Sequence, residues 1–168
     1  MRLGITGTPG TGKTTLTTLL ESAGFTVTSV QALADAHGAV AGHDDADDAD
    51  VIDTDALAPH VPTDIVVDGH LSHLLPMDEV WVIRCDPMVL EQRLQARGYA
   101  PNKVQENLEA EAVDLVLQES LASGARVVQR DGTRRTPEEL FAAFLSSQAE
   151  PLKNPDLEPV DWSDWLLR

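Results

Sequence analysis

Gly7-Thr8-Pro9-Gly10-Thr11-Gly12-Lys13-Thr14-Thr15 is the stretch whose reading decides the fold. It satisfies G-x-x-x-x-G-K-[ST] at every fixed position, follows a short apolar run containing Leu3 and Ile5, and opens into the helix-like segment Thr14 to Ser22. Gly7, Gly10 and Gly12 leave bare main chain, so consecutive N–H groups can point into one concavity. A helix beginning at Gly12 or Lys13 adds unpaired N–H groups and the positive end of its dipole. Lys13 supplies a full charge for β- and γ-phosphates, and the Thr14 hydroxyl suits Mg²⁺. The stretch therefore predicts a site for a nucleoside triphosphate. The bland alternative, a glycine-rich turn that binds nothing, is opposed by the strand before it and the helix after it.

Outward from the loop, Arg2 to Thr6 reads as a buried strand and Thr14 to Ala23 as a helix ended by Gly24. Phe25 to Val30 alternates and is rich in β-branched residues, which predicts a second strand. A βαβ unit with a phosphate loop at its first turn implies a parallel, doubly wound α/β sheet with the ligand at the strands' carboxyl ends. Thr63 to Asp68 is an apolar strand ending in an acid. Asp68 is the candidate for holding Mg²⁺ or its water, against the alternative that it merely caps the next turn. His70 would lie at the mouth, to orient water or a phosphate oxygen, unless it is structural.

Glu79 to Cys85 predicts a fourth strand, and Asp86-Pro87 an N-cap and first-turn proline for a helix running to Gly98. Arg93 and Arg97 share one face of it. They form either a solvated ion-pair face or a lid over phosphates. Pro101 to Ser123 reads as one long amphipathic helix, Ala125 to Gln129 as a fifth strand, and Thr136-Pro137-Glu138-Glu139 as a capped start for a last helix through Leu145. Pro151, Pro155 and Pro159 mark 150–160 as a linker, followed by Trp162, Trp165 and Leu166 on a face that docks on the domain or meets a partner. The expected division is a catalytic unit over 1–149 and a Pro-rich, Trp-containing tail over 150–168.

From Gln31 to His60 the texture changes. Seven aspartates lie between Asp44 and Asp55, and no Lys or Arg occurs from Thr14 to Ile83. The run reads as a solvated, mobile insertion over the site; it lacks the spacing and closing glutamate of a calcium loop. Overall, 28 acidic against 12 basic residues give a net charge of −16, which opposes direct binding to nucleic acid or an anionic membrane. This balance predicts a protein of a high-salt cytoplasm, with an ordinary acidic protein as the alternative. One cysteine, Cys85, allows no internal disulfide, and no 18-residue apolar run is present, which together predict a cytoplasmic chain without a membrane span.

The phosphate loop, I-V-V-D-G-H at 65–70, R-C-D-P-M-V-L-E-Q-R-L-Q-A-R-G-Y at 84–99 and N-K-V-Q-E-N-L-E-A-E at 102–111 closely resemble the atypical adenylate kinases that also act in maturation of the small ribosomal subunit. The resemblance runs from about Arg2 to Leu145. It implies a P-loop NTPase of the nucleoside monophosphate kinase type, with a five-stranded parallel sheet and helices on both faces. It further implies a monophosphate arm at about 29–52 and a short lid at about 96–106. In that picture Gly10, Gly12, Lys13, Thr14, Thr15 and Arg97 hold ATP, Thr14 and Asp68 serve the Mg²⁺, and Lys13, Asp68, His70 and Arg97 are catalytic. The acceptor would be AMP or another nucleoside monophosphate. The family also looks capable of ATP hydrolysis when a small-subunit ribosomal protein of the platform is bound. One departure stands out: family members carry an arm arginine after a Leu-Ala pair, whereas Leu33-Ala34 is followed here by Asp35. His37 or His43 are the substitutes within reach in sequence. Three functions remain in view: a monophosphate kinase, an ATP-hydrolysing assembly factor, and a kinase of another small metabolite on the same fold.

Overall fold

The computed structural model describes residues 1–46, 48–149 and 153–168; Asp47 of the acidic run and Glu150, Pro151 and Leu152 of the expected linker lie outside them. Strands β1 (Arg2–Thr6), β2 (Val27–Ser29), β5 (Ile65–Asp68), β6 (Glu79–Arg84), β7 (Arg126–Asp131) and β8 (Asp156–Leu157) form one sheet in the order β2-β5-β1-β6-β7-β8. Every pairing in it is parallel. The sheet is six-stranded, one strand more than the sequence predicts. The added strand comes from the stretch expected to be a linker, where Asp156 and Leu157 pair with Val128 and Gln129. Two residues between prolines carry no readable period; the pairing is visible only once β7 offers its edge.

Both faces of the sheet are covered, which is why the central strands read as continuous apolar runs. On one face α1 (Lys13–Ser22) and α7 (Pro137–Ala149) bury Leu16, Leu20, Leu140 and Phe144 against Ile5, Trp81, Ile83 and Val128. On the other, α2 (Val30–His37) and α3 (Thr54–Leu57) bring Leu33, Ala34 and Leu57 onto Val67, Val80 and Val82. The capped start before α7 forms as the sequence predicts: the Thr136 amide donates to the Glu139 carboxylate at 2.8 Å and the Glu139 amide to Thr136 Oγ1 at 3.2 Å.

A third cluster joins α4 (Pro87–Ala96) to α5 (Pro101–Ala112) through Leu90, Leu94, Val104 and Leu108 around Cys85. Trp165, on the short α8 (Ser163–Leu166), packs against it, whereas Leu166 remains exposed. The single long helix expected over 101–123 is two, α5 and α6 (Leu115–Ala122), broken where Asp114 takes φ 58°. A buried arginine causes the break. Arg84 Nη2 donates to the Glu111 carbonyl at 2.9 Å and to the Asp114 carboxylate at 2.6 Å, capturing groups that a continuing helix would have left to itself.

The acidic run is also ordered otherwise than expected. Val40–Asp44 (β3) and Ala49–Ile52 (β4) pair as an antiparallel hairpin beside the main sheet. His43 lies among its carboxylates, with Nδ1 3.1 Å from Asp50 and Nε2 3.4 Å from Asp48.

Candidate active site

The carboxyl ends of β1 and β5 meet the start of α1, and the site is built where they converge. Asp68 closes β5, in register with Ile5 of β1 and Ser29 of β2. The loop between β1 and α1 needs its glycines: Gly7 has φ 145°, and a Cβ there would lie 2.4 Å from the Ile83 carbonyl. Gly10, at φ 91°, is pressed against Leu90 and Leu94 of α4, where a Cβ would come within 2.9 Å. The loop is thus clamped between β6 and α4.

Lys13 is 9 % exposed and turns its ammonium into the loop, donating to the carbonyls of Gly7 at 2.8 Å and Thr8 at 3.0 Å. Burial pulls its pKa down to about 8, against the upward pull of the Asp68 and Glu111 carboxylates, while Arg97 adds to the lowering. Burial likewise pushes Asp68 up, opposed by Lys13 and by the hydroxyls of Thr17 and Thr14. Thr17 Oγ1 donates to Asp68 Oδ2 at 3.3 Å, but Asp68 Oδ1 is buried without a hydrogen-bond partner. A buried carboxylate oxygen left open beside Thr14 fits the demands of Mg²⁺, which takes one or two protein ligands and completes its shell with water and phosphate oxygens. Among the described residues, no group of three or more His, Cys, Asp or Glu is placed to hold a metal ion by itself.

A pocket of about 630 Å³ is lined by Gly10, Gly12, Lys13, Thr14, Thr15, Asp68, His70 and Arg97, so every predicted site residue faces one space. His70 stands exposed at its mouth. Protein crowding around the ring, with Lys13 and His73 nearby, holds its pKa below the ordinary value. From α2 and the hairpin, and from Ser29 before them, the pocket receives Ser29, Gln31, His43, Asp48 and Asp50. His43 thus reaches the site, whereas His37 is not among its lining residues and stacks on His60 at 4.5 Å. Tyr99, just after Arg97, also faces the pocket.

Three features escape a reading of the sequence. A second cleft, of about 200 Å³, lies behind Thr15 and is lined by Gly12, Arg93, Arg97, Gly132, Arg135 and Pro137; its only local signal was the basic pair Arg134-Arg135 after a turn. Arg93, read as a possible lid residue, ties α4 to the loop, donating to the carbonyls of Gly10 at 3.2 Å and Thr133 at 3.3 Å. Glu111, on α5, is 3 % exposed. It accepts from Thr8 Oγ1 at 2.7 Å, Arg84 Nε at 2.8 Å and the Cys85 amide at 3.0 Å. It reads as one more acid on a helix until Arg84 is placed beneath it.

The sequence has relatives among known proteins. The chain is 40 % identical to a "Putative adenylate kinase" of Thermococcus onnurineus over 98 % of its own length and 92 % of the relative's. With the protein of that name from Archaeoglobus fulgidus it shares 38 %, covering 96 % and 92 %. This chain belongs to the archaeal adenylate kinase-like family. Another relative of that name, from Halobacterium salinarum, is 37 % identical over 99 % of this chain and 100 % of its own. The profile of a family described as "AAA domain" matches residues 3–114, which hold the phosphate loop, Asp68 and Arg97 of the archaeal adenylate kinase-like chain. Among solved structures, "TT1252 from Thermus thermophilus" superposes with a TM-score of 0.54 at 18 % identity, covering 91 % of this chain and 98 % of its own, which speaks for the fold alone.

Proposed function

We propose that this protein is an adenylate kinase-like phosphotransferase that moves the γ-phosphoryl group of ATP·Mg²⁺ to AMP or a similar nucleoside monophosphate. One observation carries the reading: the phosphate loop with buried Lys13, the open carboxylate oxygen of Asp68, and Arg97 share a single pocket with the arm. The loop amides and Lys13 would hold the β- and γ-phosphates, exchanging the Gly7 and Thr8 carbonyls for phosphate oxygens as the ammonium's partners. Thr14 and Asp68 would hold Mg²⁺, whose charge offsets that of the transferred group. Arg97 would neutralise charge from the lid side, and His70 would orient water or a phosphate oxygen. The bond from the γ-phosphorus to the β-bridging oxygen breaks as one forms to an acceptor phosphate oxygen, and no protein nucleophile is required. The nucleoside end would occupy the cleft of Gly132, Arg135 and Pro137.

A second reading, an ATP-hydrolysing assembly factor, is favoured by the arm. The pocket receives Asp48 and Asp50 from it and no arginine or lysine, since none occurs between Thr14 and Ile83. An acceptor phosphate would meet carboxylates there. On this reading the partner would be a small-subunit ribosomal protein, as the sequence resemblance implies, in a high-salt cytoplasm. A coupled assay separates the two: ADP formation from ATP with AMP, compared with ATP alone, is expected to rise severalfold under the first reading. No rise above the ATP-only rate, with ATP consumption intact, transfers the assignment to the second.

A further inference from the structure

The C-terminal segment reaches the nucleotide site through one carboxylate. Immediately after β8, Glu158 is fixed by its main chain: its amide donates to the Gln129 carbonyl at 3.2 Å, and Gln129 Nε2 donates to its carbonyl at 2.7 Å. Its carboxylate takes the edge of the Arg135 guanidinium. Arg135 Nη2 donates to Oε1 at 2.8 Å, Nη1 to Oε2, and the Asp131 amide to Oε2 at 2.8 Å. Arg135 Nη1 also donates to the Asp131 carbonyl at 2.9 Å. Three of the five guanidinium N–H donors thus go to three acceptor atoms on two residues. This pairing holds Glu158 below the usual carboxylate range and raises Arg135 above its own.

Arg135 is at the same time a wall of the cleft behind Thr15, with Gly132 and Pro137 beside it. An arginine recognises phosphate through its N–H edge and an aromatic ring through its face. With three of its five N–H donors committed to Glu158 and Asp131, the plane of the guanidinium is fixed, and its face can meet a flat ligand in the cleft. We propose that Glu158 is a positioning residue for the nucleoside: it holds Arg135 so that its plane stacks on the base, making the C-terminal segment part of the nucleotide site. The proposal rests on the phosphate loop being a triphosphate site, as argued under the proposed function.

The test is calorimetric titration of the full chain with MgATP and, separately, with magnesium and inorganic tripolyphosphate, which has no base. The variants are Glu158→Gln, Arg135→Leu and Arg135→Lys. All three are expected to weaken ATP about three- to tenfold, the range of a cation stacked on an aromatic face, with tripolyphosphate changed less than twofold. Lysine is expected to resemble leucine because a point charge does not replace a plane. The ratio of the two affinities is taken within each variant, so partial loss of folded protein cancels, and a purely structural role leaves it unmoved. An unchanged ratio in Glu158→Gln and Arg135→Leu overturns the proposal, as does an equal loss for both ligands, which would place Arg135 on phosphate. Wild-type protein that binds neither ligand overturns the phosphate-loop reading and this one together; binding of tripolyphosphate with an unchanged ratio overturns this one alone.

Discussion

Lys13 shows how the site is kept ready at the expense of stability. Its ammonium is buried among main-chain carbonyls of the loop, and its pKa falls from 10.5 to about 8. Below about pH 8 the native and unfolded chains both carry the proton, and folding bears the whole cost of burying the charge. Between about 8 and the ordinary value the unfolded chain binds a proton that the native one has released, so this group's contribution to stability rises with pH across that window. Lys13→Met is therefore expected to stabilise the nucleotide- and metal-free protein at neutral pH, by on the order of 1 to 3 kcal/mol, while abolishing triphosphate binding. The gain should shrink as pH climbs through the window. Urea denaturation across that range checks it, and a variant less stable than wild type at neutral pH would show that the two carbonyl bonds outweigh the buried charge. That this residue and Thr14 line the pocket was legible from their motif, and that Asp68 does so from its place at the end of an apolar strand. Glu111 and Arg135 were not: each owes its role to a partner 27 or 23 positions away, Arg84 and Glu158.

At the scale of elements, the break between α5 and α6 is where local pattern and tertiary demand conflict. Val104, Leu108, Ala112, Leu115 and Val116 keep a helical period straight through it, so the pattern alone gives one helix. Arg84, 1 % exposed, decides otherwise by engaging Glu111, Asp114 and Gln129 at once. The hairpin at 40–52 escaped for the opposite reason: Gly, Ala and Asp have low strand propensity, and its order rests on cross-strand pairing and His43 rather than on alternation. Helix caps, by contrast, are local chemistry, and those at Asp86 and Thr136 are where the sequence puts them. The buried pair makes a quantitative expectation possible. Arg84→Met leaves Glu111 charged and uncompensated, which should cost about 3–5 kcal/mol, whereas adding Glu111→Leu should restore most of it. Because Glu111 also holds Thr8, the double variant should recover stability without recovering full ATP affinity. Denaturation and calorimetry on the same samples check both halves; recovery of both together would mean that the Thr8 bond does not matter to the loop.

Over the whole molecule, charge sets the terms on which any ligand arrives. The net charge of −16 surrounds a pocket whose cations are Lys13 and Arg97, with Asp48, Asp50 and Asp68 facing the same space. Most nucleotide sites attract their ligand from a distance and lose association rate as salt rises. Here the long-range field opposes an anionic ligand, and only the last few ångströms favour it. Raising KCl from about 0.1 M to about 1 M shortens the screening length from about 10 Å to about 3 Å. That change removes the distant repulsion of the acidic surface while leaving the buried contacts of the loop nearly untouched. The association rate for MgATP is therefore expected to increase with salt, severalfold over that range, with the dissociation rate changing less. The same screening should raise the melting temperature, because the carboxylates of the acidic run from Asp44 to Asp55 have no arginine or lysine of their own segment to pair with. Stopped-flow mixing at several KCl concentrations reads the first effect directly. A rate that falls with salt would mean that Lys13 and Arg97 control the approach as well as the grip, and that the acidic surface lies electrostatically out of the ligand's path.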